Sequence, residues 1–117
     1  MSAFYLRALA VTLVVELAGL AALLGSMRGR LGLSPRRIGL LLLLALATNL
    51  VSHRTFWFVF PVLPGGYTLR LTLAEAAVTL FEGAVYAGVG RLQPVALAFG
   101  AAVAVNLLSW WAGALLL

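Results

Sequence analysis

Four apolar stretches take up nearly the whole chain and leave only short connections between them. A helix needs about 20 apolar residues to cross the hydrocarbon core of a bilayer, which is about 30 Å thick. The pattern therefore predicts four spans, at about 3–25, 38–60, 71–90 and 94–117. With 117 residues in all, no room is left for a soluble domain beside them. Composition agrees: 9% of the residues are charged, against about 25% in a soluble domain. Such a chain cannot cover itself with a wettable surface, which excludes soluble enzymes, nucleic-acid-binding domains and disordered chains. The expected fold is an all-α, polytopic membrane protein, a four-transmembrane-helix bundle forming one domain over residues 1–117.

The breaks between stretches have identifiable causes. Arg28, Arg30, Arg36 and Arg37 surround Gly29, Gly32 and Pro35 in the first connection. There Ser34 reads as a helix N-cap, with Pro35 at the first helical position. The run Pro61-Val-Leu-Pro-Gly-Gly66 cannot continue a helix. Arg91 and Gln93 form a tight turn, and Pro94 opens the last stretch. The first stretch is too long for a signal-peptide core and contains Glu16, so a retained span is expected.

The net charge of +5 is no nucleic-acid signature. All eight basic residues are arginines, most of them at segment ends, where they reach headgroups and set orientation. The absence of lysine fits a GC-rich genome. Cysteine is also absent, which removes disulfides, thiolate metal sites and thiol redox chemistry. Four arginines in the first connection place it in the cytoplasm. Both termini and the 61–70 connection then face outward, as expected for a bacterial inner membrane. Phe4, Tyr5, Trp57, Phe58, Phe60, Tyr67, Trp110 and Trp111 fall toward the same outer interface, where such rings anchor.

Where the acids lie says most about function. The chain has three, Glu16, Glu75 and Glu82, and all fall inside predicted spans, as does its only histidine, His53. Each charge at the bilayer centre costs about 2.5–3.5 kcal/mol on insertion scales, so each needs a reason. At 1.5 Å rise per residue, His53 lies about 10 Å below the outer end of its span, with Glu75 at nearly the same level. Asn49 stacks one turn below His53, and Glu82 lies two turns below Glu75. Glu16, Asn106 and Ser109 sit near the middle of the first and last spans. The expected cluster has two tiers: His53 and Glu75 outside, and Glu16, Asn49, Glu82 and Asn106 at the midplane. Tyr86, one turn from Glu82, is placed to hydrogen-bond its carboxyl. Arg54 is expected to reach the outer interface or to pair with Glu75. Gly83, Ala87, Gly90, Gly100, Ala104 and Gly113 are expected to let helices approach closely.

Three functions fit these residues. Carboxylates with one imidazole and no thiolate suit zinc, manganese, iron or a proton relay. Glu75, His53, Glu82 and Glu16 are then the metal ligands, supported by Asn49, Asn106, Ser109 and Tyr86, and the site serves transport across the membrane, with the lipid bilayer and a second copy of the chain as expected partners. The second is an intramembrane hydrolase acting on lipid or a membrane-anchored peptide, with Glu82 as general base, His53 as its partner and an asparagine serving an oxyanion. The adjacent Glu pair and second His motif of the prenyl-protein proteases are missing. The third is structural: intramembrane polar groups hold helices together, at about 0.6–2 kcal/mol per hydrogen bond. Trp57, Trp110 and Trp111 read as anchors, and Thr48, Ser52 and Thr79 as bonded to their own helices.

Asn49-x3-His53 followed by Trp57 and Pro61, then Glu75-x6-Glu82, then Ala104-x-Asn106-x2-Ser109, resembles a set of small four-span bacterial membrane proteins of no assigned function. The resemblance covers the last three spans. It implies that these polar positions belong together and assigns no activity.

Overall fold

A computed structural model describes residues 3–117, and its regular structure is helical. Helix α1 covers Ala3–Ser26, the single turn α2 covers Arg28–Leu31, and α3 covers Pro35–Val59, tightening into a 3-10 turn at Phe60–Val62. Helices α4 and α5 cover Tyr67–Gly88 and Val95–Leu116. No strand occurs among the described residues.

The local chemistry sets these limits. Ser34 caps α3 as expected, its Oγ accepting from the Arg37 amide at 3.1 Å. The helix therefore starts at Pro35 rather than at residue 38. Gly32, at φ +65°, ends α2 in the left-handed conformation that glycine takes without penalty. Helix α4 begins one turn before residue 71, because nothing after Gly66 opposes helix, and Arg70 folds its Nε back onto the Gly65 carbonyl at 3.0 Å. The one-turn α2 has no apolar periodicity and was not expected.

The four long helices form a closed ring. Helix α1 packs against α3 and α5, α4 packs against the same two, and no diagonal pair is in contact. The seam between α3 and α4 is the sparsest of the four long-helix seams. Each helix runs antiparallel to its neighbours, the up-down-up-down arrangement that short connections dictate. At the end bearing the 27–34 and 89–94 connections, Leu20, Leu24, Leu41, Ala45, Leu92, Ala98, Ala101, Ala102 and Val105 form a dry core around Tyr86. Arg37 ties this end shut, donating to the carbonyls of Gly90 and Arg91 in the turn that follows α4.

Small residues govern the close approaches, though only some of those expected. A Cβ on Gly83 would run into the Phe99 ring, and one on Gly90 would meet the Tyr86 carbonyl and Leu41. Ala87 packs on the core. Gly100 and Ala104 instead face outward, and Gly113 approaches only its own neighbour Leu117. Helical geometry explains the correction. Ala98, Ala102 and Asn106 stack at intervals of four on the inner face, so Gly100 and Ala104, two residues out of phase, lie opposite.

The outer surface is apolar: Val14, Leu43, Leu80 and Leu107, one from each long helix, are 62–68% exposed. Three segments, Ala3–Ser26, Pro35–Val62 and Val95–Leu116, are long and apolar enough to cross a membrane. Helix α4 matches α5 at 22 residues but, carrying Glu75 and Glu82 among its threonines, is not in that group.

Opposite effects are expected at two glycines in thermal melts of the purified protein. Gly83→Val overpacks the α4–α5 contact and costs about 1–3 kcal/mol, part of which Phe99→Leu restores. Gly100→Ala meets nothing within 4 Å and stabilises by about 0.5–1 kcal/mol through helix propensity.

Candidate functional site

Below the aromatic-rich end where α1 begins and α5 finishes, the bundle is hollow. A cavity of about 460 Å³ is lined by all four long helices. Helix α1 presents a ladder at intervals of four, Phe4, Ala8, Thr12 and Glu16, and α4 presents Leu71, Glu75, Val78 and Glu82 at intervals of four, three and four. These spacings keep each set on one helical face. Helix α3 adds Asn49, Ser52, His53, Phe56 and Trp57, and α5 adds Asn106 and Ser109. No arginine lines the cavity.

The floor is a hydrogen-bonded layer. Glu82, with no exposed surface, accepts from Asn106 Nδ2 at 2.8 Å through Oε2 and from Ser52 Oγ at 3.4 Å through Oε1. One carboxyl thereby joins three helices. Asn106 and Asn49 each also donate to the carbonyl four residues back, at 2.8 Å, on Ala102 and Ala45. Glu16 is 2% exposed beside Asn49, and its Oε2 has no hydrogen-bond partner. The charged groups acting on Glu16 are the carboxyls of Glu82 and Glu75. Higher in the cavity, Glu75 and His53 are half-buried, and the His53 Nε2 is also unpartnered.

The expected midplane tier, Glu16, Asn49, Glu82 and Asn106, is thus brought together, with Ser109, Glu75 and His53 on the same cavity wall. Other expectations are corrected. Tyr86 does not bond Glu82: both carboxyl oxygens are taken by neighbouring helices, and Tyr86 lies in the dry core with its hydroxyl unpartnered. Ser52 bonds Glu82 as well as the Asn49 carbonyl, whereas Thr48 bonds its own helix at Leu44 as expected. Arg54 is exposed beside Tyr5, Trp57 and Phe58, outside the cavity that Glu75 lines. Among the described residues, no three histidine or acidic side chains gather closely enough to hold one metal ion. Glu75, His53, Glu82 and Glu16 share a cavity without forming a ligand sphere; seven residues along α4 separate its two carboxyls by about 10 Å of helix.

Sequence reasoning missed the collar at the mouth. Phe4 and Tyr5 meet Trp57 edge-on at centroid distances of 5.8 and 5.7 Å, and Tyr5 lies 5.2 Å from His53. Phe56 stacks on Phe60 at 5.3 Å, and Phe60 meets Tyr67 at 5.7 Å. The signal was present in the intervals of four, His53 to Trp57 and Phe56 to Phe60, which place these rings above the polar residues of the same helix. Comparison with known proteins found no matching protein family, no matching curated protein and no matching solved structure.

Two kinds of polar residue follow, and stability measurements should separate them. Asn106→Leu strands a Glu82 oxygen and is expected to cost about 1–3 kcal/mol in thermal or denaturant unfolding. Glu82→Gln, which keeps an acceptor for Asn106, is expected to stay within about 1 kcal/mol of wild type. Glu16→Gln replaces a buried ionisable carboxyl with a neutral amide of the same size and should unfold no earlier than wild type.

Proposed function

We propose that the chain is an integral membrane protein of four spans whose cavity opens to the outer face, and that the cavity binds a proton or a divalent cation in the course of transport. The observation that carries this reading is charge balance. Three carboxyls share one cavity, no arginine lines it, and the buried Glu16 keeps a free oxygen. Charge at that depth is costly, so the carboxyls call for protons or a cation to offset it.

Helix α4 serves as the fourth span in this reading, with Glu82 buried and Glu75 lining both the cavity and an apolar groove between α4 and α5. At 22 residues it is about 33 Å long, enough for the bilayer core. Orientation rests on the arginines. Arg28, Arg30, Arg36, Arg37 and Arg91 mark the closed end, against Arg7, Arg54 and Arg70 at the other, so the closed end faces the cytoplasm of a bacterial cell. His53 and Glu75 near the mouth and Glu16 at the floor are then successive stations. Passage beyond Glu16 requires the dry core around Tyr86 to part, and the sparse α3–α4 seam is the place where the ring yields most readily.

Glu82 favours a second role within the same site. With both oxygens bonded to side chains of α3 and α5, it holds the floor together and leaves cation binding to Glu16 and Glu75.

The test compares wild type with Glu16→Gln/Glu75→Gln, both in lipid nanodiscs in weak buffer and free of chelator. Manganese or zinc should bind wild type at near one ion per chain, with protons released as it binds, and the variant should lose both. No retained metal, together with equal proton counts for the two proteins in an acid–base titration, would overturn the reading.

A further inference from the structure

We propose that the cavity's cargo is an organic ammonium ion carrying an apolar substituent, a deeper reading that rests on the cation-binding function above. Size is the first argument. At about 460 Å³ the cavity falls within the range of about 300–1,000 Å³ typical of small-molecule sites, which are mostly apolar with a few placed polar groups. A bare divalent ion needs a tight cage of ligands, and no three acidic or histidine side chains gather into one among the described residues.

The lining is the second argument. A cation entering from the outer end passes Phe4, Trp57, Phe60 and Tyr67 before it reaches a carboxyl. Aromatic faces attract organic cations, and the attraction grows as water is excluded. Below them Glu16, 2% exposed, lines the cavity with an oxygen that no group of the protein satisfies. A mouth of rings over an unpaired carboxyl suits a charge spread over alkyl groups better than a strongly hydrated metal ion.

The third argument is a place for the apolar substituent. Between α3 and α4 an apolar groove of about 360 Å³ runs alongside the cavity and shares Ser52, Phe56, Phe60 and Val78 with it. The ammonium head can sit between the collar and Glu16 while the chain leaves through this groove toward lipid. The groove follows the sparsest seam of the ring, so the tail can reach lipid sideways while the head enters past the rings.

Octyltrimethylammonium is a suitable probe, with octyldimethylamine oxide as its uncharged counterpart. Binding to the protein in nanodiscs is measured by calorimetry, with protein-free nanodiscs subtracted to remove partition into lipid. The ammonium should bind at one site per chain, at least about tenfold more tightly than the amine oxide at pH 8. Glu16→Gln should abolish that preference, and Trp57→Leu should weaken ammonium binding about threefold or more through the lost cation–π contact. Circular dichroism and thermal melting verify that both variants fold; Trp57, 37% exposed, is a mild site for substitution. Equal affinity for the two probes, or binding unaffected by Glu16→Gln in a folded protein, would overturn the proposal. If manganese binds with proton release at Glu16 but the ammonium does not, the organic cargo is wrong and the cation site stands. If neither binds, and wild type and Glu16→Gln/Glu75→Gln take up equal numbers of protons, both readings fall.

Discussion

A carboxyl inside a helix bundle has to be answered by something, and the way each of the three is answered organises this molecule. Glu82 is answered by the protein: Ser52 from α3 and Asn106 from α5 supply its hydrogen bonds, so the costliest buried group also fixes the spacing of three helices. Glu16 has Asn49 beside it and an oxygen left over. Glu75 stands higher, half-buried in the same wall. The series runs from a group the fold consumes to groups it leaves available. Lipid cannot supply the missing partners, so the interior has to.

The rest of the architecture keeps that interior open at one end and closed at the other. Alanines at positions 98, 101 and 102 bring α5 close to its neighbours and exclude water from the lower half. In the upper half α1, α3 and α4 bring large rings to the rim, where they touch one another. Side-chain size along each helix thus sets the cavity's shape. Arg37 adds a polar latch at the closed end by bonding the turn that follows α4.

Much of this was legible in the sequence, because bilayer thickness and helical rise convert residue number into depth. The four long helices and the shared level of Glu16, Asn49, Glu82 and Asn106 follow from that conversion, and the Ser34 cap follows from a serine placed before Pro35. Rotation about each helix axis was harder to read. Helices α1 and α5 are apolar all round, so periodicity does not say which side faces inward, and Gly100 and Ala104 were placed on the wrong face of α5. Tyr86 was misjudged for a related reason: an interval of four puts two side chains on one face but does not say whether a neighbouring helix has already taken the acceptor. The collar was overlooked because aromatic rings near a membrane interface have an ordinary role as anchors, and only the assembled ring of helices reveals that six of them touch, with His53 beside them.

The uneven filling of the bundle has a mechanical consequence. Hydrostatic pressure acts on proteins by eliminating internal void, and here the cavity lined by all four long helices lies in one half. Compressibility is therefore distributed along the axis as a gradient, stiff around Leu24 and Ala98 and soft around Thr12 and His53.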